Sequence, residues 1–274
     1  HIHNANVLTS NEKIYLDYNA TTPADPRVVE AMLPYFTQHF GNASSDHSFG
    51  WHADDAIETA RGQIAGLINC RPAELTFTSG ATEAANLALL GFCKRNRSKG
   101  NHIISCTTEH KAVLDTLQAL EDDGFEVTYL DVDSQGNIDL DVLEDSITPS
   151  TILVSIMLAN NETGLIHPIK SIVELVHSKG VPIMSDITQA VGKISIDLQD
   201  LGIDIAVFSS HKLYGPKGVG ALYLNKSNNI SVDKHLFGGN HEKGVRPGTL
   251  NVPGIVGFGE ACTLAQERIG ENHQ

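Results

Sequence analysis

Short apolar runs recur between helix-like stretches, and this alternation constrains the chain more than any other feature. The runs are Leu75–Thr78, His102–Cys106, 126–131, 151–158, 181–185, 203–209 and Gly220–Leu224. They are short and largely apolar, as strands covered on both faces are. Helical spacing of apolar residues fills the intervals 26–40 (interrupted at Pro34), 51–68, 82–92, Lys111–Asp122, 139–146 and 169–179. Asp25 and Pro26 are start signals for the first helix, and Gly180 is a stop signal for the last. The pattern predicts an α/β fold with three α/β/α layers around a mainly parallel sheet, its strand at Gly220–Leu224 turning back on its neighbour.

Composition narrows the function classes. With 19 basic and 33 acidic residues the formal charge is −14, which disfavours a general nucleic-acid binder. The longest apolar stretch, around 151–159, falls far short of the ~20 residues of a membrane helix. The four cysteines, Cys70, Cys93, Cys106 and Cys262, are far apart with no C-x-x-C pair. That argues for a reducing compartment, cytoplasmic or an organellar matrix, and offers no metal site. The sequence opens at His1 rather than Met.

In parallel sheets ligands gather at the carboxyl ends of the strands, so the residues just past each apolar run are the candidates. Ser79-Gly80-Ala81-Thr82-Glu83 enters a helix; it is either a phosphate cradle of free N–H groups or an ordinary N-cap. His110 opens the next helix and could stack on a planar ligand, move protons or cap. Asn160-Asn161 follows the 151–158 run. Asp186 follows 181–185, with Gln189 close behind; a buried acid there needs a cation, or else caps a helix. Lys212 lies between an apolar run and Gly215-Pro216, where desolvation would make it a usable amine nucleophile, flanked by Ser209 and His211. A surface lysine fits Lys217 better. A phosphate cradle, a stacking ring, an acid, amide donors and an amine on one rim are together what pyridoxal 5′-phosphate (PLP) requires.

The segments 15–23 (YLDYNATTP), 41–47 (GNASSDH), 78–84 (TSGATEA), 108–113 (TEHKAV), 160–164 (NNETG), 186–189 (DITQ), 209–218 (SSHKLYGPKG) and 246–249 (RPGT) resemble those of the cysteine desulfurases. These are fold-type I PLP enzymes of the class-V aminotransferase group. The resemblance is to the type that serves iron–sulfur-cluster and nitrogenase assembly. It implies that Lys212 carries the cofactor and, with His110, moves protons. His110 would stack on the ring, Asp186 would pair with its nitrogen and Gln189 would touch the phenolic oxygen. Asn161 would hold cofactor and substrate. Ala81, Thr82, Ser209 and His211 would bind the phosphate, and Thr249 would reach the phosphate of a neighbouring subunit in a homodimer.

The implied reaction takes sulfur from L-cysteine, gives L-alanine and passes a persulfide to an acceptor or scaffold protein. The implied layout is a tail at 1–13, a PLP-binding large domain at 14–258, and at 259–274 the start of a helix leading to a small domain that carries the catalytic Cys loop. None of the four cysteines matches that nucleophile, and all four read as structural. Ala43, Ile187 and Pro247 depart from the family pattern, and Ile187 would either crowd the cofactor or pack beneath it. The alternatives are another fold-type I enzyme acting on an amino acid, such as a lyase or transaminase, or a non-catalytic chain that binds PLP and dimerises.

Overall fold

The computed structural model describes residues 13–272, so nearly all of the expected 1–13 tail lies outside the described residues. The expected 26–40 helix is two pieces, α1 (Pro26–Met32) and α2 (Pro34–Thr37). Pro34 has no N–H to continue the ladder and starts a new turn instead. Asp25 caps α1 by accepting from Arg27 N at 2.9 Å. Helix α3 (Ser48–Ile68) begins at Ser48 rather than at 51 and closes on left-handed Asn69.

The remaining elements alternate: β1 (Leu75–Thr78), α4 (Ala81–Asn96), β2 (His102–Cys106), α5 (Lys111–Asp122), β3 (Glu126–Leu130), α6 (Leu140–Ser146), β4 (Thr151–Ser155), α7 (Ile169–Ser178), β5 (Ile183–Asp186), the single turn α8 (Leu198–Leu201), β6 (Ile205–Ser209), β7 (Gly220–Leu224) and α9 (Val252–Asn272). Strand β4 is shorter than the apolar run 151–158. Regular pairing stops at Ser155, although Ile156 N and Leu158 N still donate to Met184 O and Asp186 O at 3.0 Å. Helix α8 has too few residues to show a period; Asp197 caps it.

The seven strands form one sheet in the order β1-β7-β6-β5-β4-β2-β3. Every neighbouring pair from β6 to β3 is parallel, and β7 runs antiparallel to both β6 and β1. This is the mainly parallel α/β architecture expected, with the final strand turned back. Successive side chains on a strand point to opposite faces. Ala206 and Phe208 therefore enter a core shared with α3, α7 and α9, while Ile205 and Val207 enter a second core with α4 and α5. Helix α9 runs unbroken past residue 258 and buries Ile255, Phe258, Ala261 and Cys262.

Six strands share a direction, so their carboxyl ends lie on one edge, and the start of antiparallel β7 joins them there. Chain order moves outward from β2 to β3 and returns through β4, and a crevice opens where it reverses. One close approach fixes this edge. A Cβ added to Gly220 would stand 2.6 Å from Gly80 Cα and 2.7 Å from Phe208 O. Those are backbone atoms that cannot swing aside. Gly220→Ala is expected to cost about 1–3 kcal/mol by overpacking and to displace the start of α4. Urea unfolding and anion titration would show both losses, and an unchanged pair would show that the approach is not needed.

Candidate active site at the carboxyl edge of the sheet

A cavity of about 500 Å³ opens at this edge, and its wall includes Ala81, Thr82, His110, Asn161, Asp186, Gln189, Ser209, His211 and Lys212. Every sequence-derived site residue is thus gathered in one place except Thr249, which is exposed and outside this cavity.

Neither Ser79 nor Thr82 caps the helix that begins within 79–84. Gly80 occupies the cap position of α4 with no side-chain hydrogen bond. The first-turn N–H groups of Ala81 and Thr82 are therefore left for an anion, at the positive end of the helix. Glu83 would oppose an anion, but its carboxylate is engaged elsewhere. It accepts from Ser79 N at 2.8 Å and from Arg246 Nε at 2.7 Å. Against the burial that would raise it, Arg246 and Ser79 hold this carboxyl below its ordinary range. Arg246, in the irregular loop of residues 238–249 that precedes α9, thus ties that loop to the first turn of α4.

His110 satisfies two readings at once. It lines the cavity and also caps α5, its Nδ1 accepting from Ala112 N at 3.1 Å. That bond assigns the proton of the neutral ring to Nε2.

Asp186 ends β5 with only 8% exposure. Its Oδ1 accepts from Thr188 N at 2.9 Å. Burial raises its pKa, opposed by the hydrogen bond from Thr188 N and the charge of Lys212. Ile187, fully buried in the sheet–helix core and absent from the cavity wall, packs beneath the site instead of crowding it.

Lys212 closes the 3₁₀ turn Ser210–Lys212 after β6. Burial lowers the pKa of its amine, and Asp17 and Asp186 oppose that fall. Nζ donates to Asn19 O at 2.5 Å and Ala20 O at 2.7 Å. The next turn is held under strain: Tyr214 is left-handed, at φ 67°, a conformation costing about 1–2 kcal/mol outside glycine. Thr22 Oγ1 accepts from Tyr214 N, and Tyr214 O accepts from Asp25 N, both at 2.9 Å.

Residues 19–22 are the part of the site that sequence reasoning left without a role. They drape over the lysine, with Thr21 Oγ1 2.9 Å from His211 Nδ1 and Thr22 N donating to His211 O at 3.0 Å. Backbone carbonyls carry no side-chain signature; only the inclusion of 15–23 among the matching segments hinted at them. Lys193 was also missed. It donates to Gln189 Oε1 at 2.5 Å, which turns the amide so that Gln189 Nε2 donates to Asn19 O at 3.0 Å.

The cavity fits PLP on its own chemistry: uncapped N–H groups for the phosphate, a buried acid, a ring, an outward amide donor and a desolvated amine. Among the described residues no group of three or more His, Cys, Asp or Glu is placed to hold a metal ion. The Asp186–Lys212 coupling has a definite sign. Asp186→Asn removes an anion that favours the ammonium form, so Lys212 should react with an amine-directed reagent at lower pH than in the wild type. Peptide mass spectrometry across a pH series reads this; an upward shift would contradict the geometry.

The chain is similar to several known proteins. The chain is 52% identical over 254 residues to the cysteine desulfurase IscS of Anaeromyxobacter sp. strain Fw109-5, covering 92% of this chain and 63% of that protein. It is 50% identical over 269 residues to the IscS of Dechloromonas aromatica, covering 97% and 66%. It therefore spans less than two thirds of these relatives. A solved NifS-like protein superposes with a TM-score of 0.92 at 40% identity, over 95% of this chain and 71% of that one. SspA in complex with cysteine superposes at 0.88 and 39% identity, over 91% and 72%. The aminotransferase class-V pattern matches residues 14–273, and the chain belongs to the aminotransferase class-V family.

Proposed function

We propose that the chain carries the PLP site of a cysteine desulfurase, which takes sulfur from L-cysteine and leaves L-alanine. The observation that carries this reading is the cavity that sets Lys212 and Asp186 in mutual electrostatic reach beside His110 and the uncapped start of α4. The likeness to IscS proteins and to a cysteine-bound SspA supports the substrate. Bound here, PLP supplies an electron sink for bonds at the substrate's α- and β-carbons.

The chain's own residues do the rest. Ala81 N, Thr82, Ser209 and His211 bind the phosphate. Burial, with Lys212 and Lys217 nearby, lowers the pKa of His211, so at neutral pH it binds as a hydrogen-bonding imidazole. Asp186 keeps a proton on the ring nitrogen. Gln189 Nε2, with one N–H given to Asn19 O, has a second to donate to the phenolic oxygen, and Asn161 holds the substrate side. Lys212, its pKa lowered by burial, is an amine nucleophile that then accepts and returns a proton, with His110 Nε2 as a second proton carrier.

The sulfur-accepting thiolate is not one of this chain's four cysteines. All four are buried, and burial pushes Cys70 and Cys93 up to about 12 and Cys262 higher still. The sulfur then passes to an acceptor or scaffold protein. The site of action in this reading is cytoplasmic or an organellar matrix; among the described residues no helix is long and apolar enough to cross a membrane.

The functional unit in this reading is a homodimer in which Thr249 reaches the partner's phosphate. Its loop is held as a fixed arm. Arg61 pairs with Glu242 at 2.8 Å, and Phe77 N donates to Glu242 Oε2 at 2.8 Å. Glu242 and Lys243 are both left-handed, at φ 47° and 57°.

Two outcomes are expected. Borohydride treatment of PLP-loaded protein should fix the cofactor on the Lys212 peptide, and L-cysteine should perturb its visible absorption. Label on Lys193 or Lys217, or indifference to L-cysteine, would overturn the assignment. Sedimentation at micromolar concentration should show a dimer; a monomer fully loaded with PLP would refute the role of Thr249.

A further inference from the structure

One buried acid behind the cavity has no part in the chemistry above. Glu109 immediately precedes His110 and is 6% exposed. Its Oε1 accepts from Met157 N at 2.6 Å. Its Oε2 is buried with no hydrogen-bond partner. It makes no ion pair among the described residues.

The titratable groups that act on Glu109 are anionic when ionised. Asp186, on β5, pushes its proton affinity up, and Cys106, at the end of β2, feels the Glu109 charge in turn. The cation of this region, Lys212, acts on Asp186. A bare carboxylate oxygen in this setting would lose its hydration with nothing in exchange. Two buried carboxyls that repel each other share their charge unequally, and the one beside the Lys212 ammonium keeps it.

We propose that Glu109 is a positioning residue that stays a neutral carboxylic acid. It clamps the turn bearing His110 to the Met157 amide and leaves the buried negative charge to Asp186. The clamp works with a second tie across the same gap, Asn160 Nδ2 donating to Thr108 O at 3.1 Å. Together they fix the 106–110 turn against the segment that carries Met157, Ala159 and Asn161 along the cavity wall. A carboxylic acid performs this with its carbonyl oxygen alone. An ionised one would place a second anion beside Asp186 and draw a proton back onto that carboxyl. The consequence for Asp186 rests on the PLP reading; the protonation of Glu109 rests on its burial alone.

The test needs no cofactor, so its failure is distinct from a failure of PLP binding. Infrared spectra of the protein carrying ¹³C-carboxyl glutamate should contain a protonated-carboxyl band that shifts with the label and persists at pH 7. The band should vanish in Glu109→Gln. A Gln side chain keeps the acceptor for Met157 N and has no proton to lose. In the wild type, folding holds a proton that the unfolded chain releases near pH 4.5, so wild-type stability falls as pH rises from there. The melting temperature of Glu109→Gln should therefore gain on that of the wild type between pH 5 and pH 8. A purely structural acceptor would give parallel curves. Absence of the labelled band at pH 7, or a melting difference that is constant or shrinks with pH, would overturn the proposal. If Glu109→Gln fails to fold, the labelled wild-type band decides alone.

Discussion

Asp186 places a carboxyl at the end of a strand buried on both faces, and the surrounding site is organised around that group. Desolvation of an acid in such a place is costly unless charges and donors offset it. Here Thr188 N donates to it, and the charge of Lys212 favours its ionised form. The same geometry burdens Lys212, whose ammonium form is opposed by burial and supported by Asp17 and Asp186. Each group's charge favours the ionised form of the other against the burial that opposes it, and perturbed pairs of this kind cluster at functional sites.

That mutual dependence requires fixed positions. Parallel strands β2, β4, β5 and β6 deliver His110, Asn161, Asp186 and Lys212 to one edge. The strained Tyr214 backbone and residues 19–22 lock the lysine turn from the other side. Such strain persists only where the surroundings over-determine it. Lys193, turning Gln189, and Glu109, gripping Met157, add constraint from positions that a reading of strand ends does not reach.

The boundary of what the sequence disclosed follows from this. The strand-end residues were legible because short apolar runs end at identifiable places, and chemistry-bearing side chains stand just past them. Residues such as Asp186 and Lys212 name their own chemistry. Asn19 and Ala20 contribute carbonyl oxygens, which every residue possesses, so only tertiary structure reveals them. Lys193 acts through an amide on the turn before it, and its exposed position gives no apolar pattern to read. Glu109 lay inside a matching segment, yet its burial could not be known before β4 was placed beside β2. The end of β4 was misplaced because apolar residues 156–158 keep to the core after regular pairing ends.

In the proposed function, Asp186 holds a charge that keeps the bound cofactor's ring nitrogen protonated. Nitrogen-15 NMR of the protein loaded with PLP labelled at that nitrogen tests it without reference to turnover. The expected result is a protonated-pyridinium resonance that does not titrate between pH 6 and pH 9 and that moves to the neutral-pyridine position in Asp186→Asn. A neutral ring nitrogen at pH 7 in the wild type, or a resonance unaffected by Asp186→Asn, would contradict it.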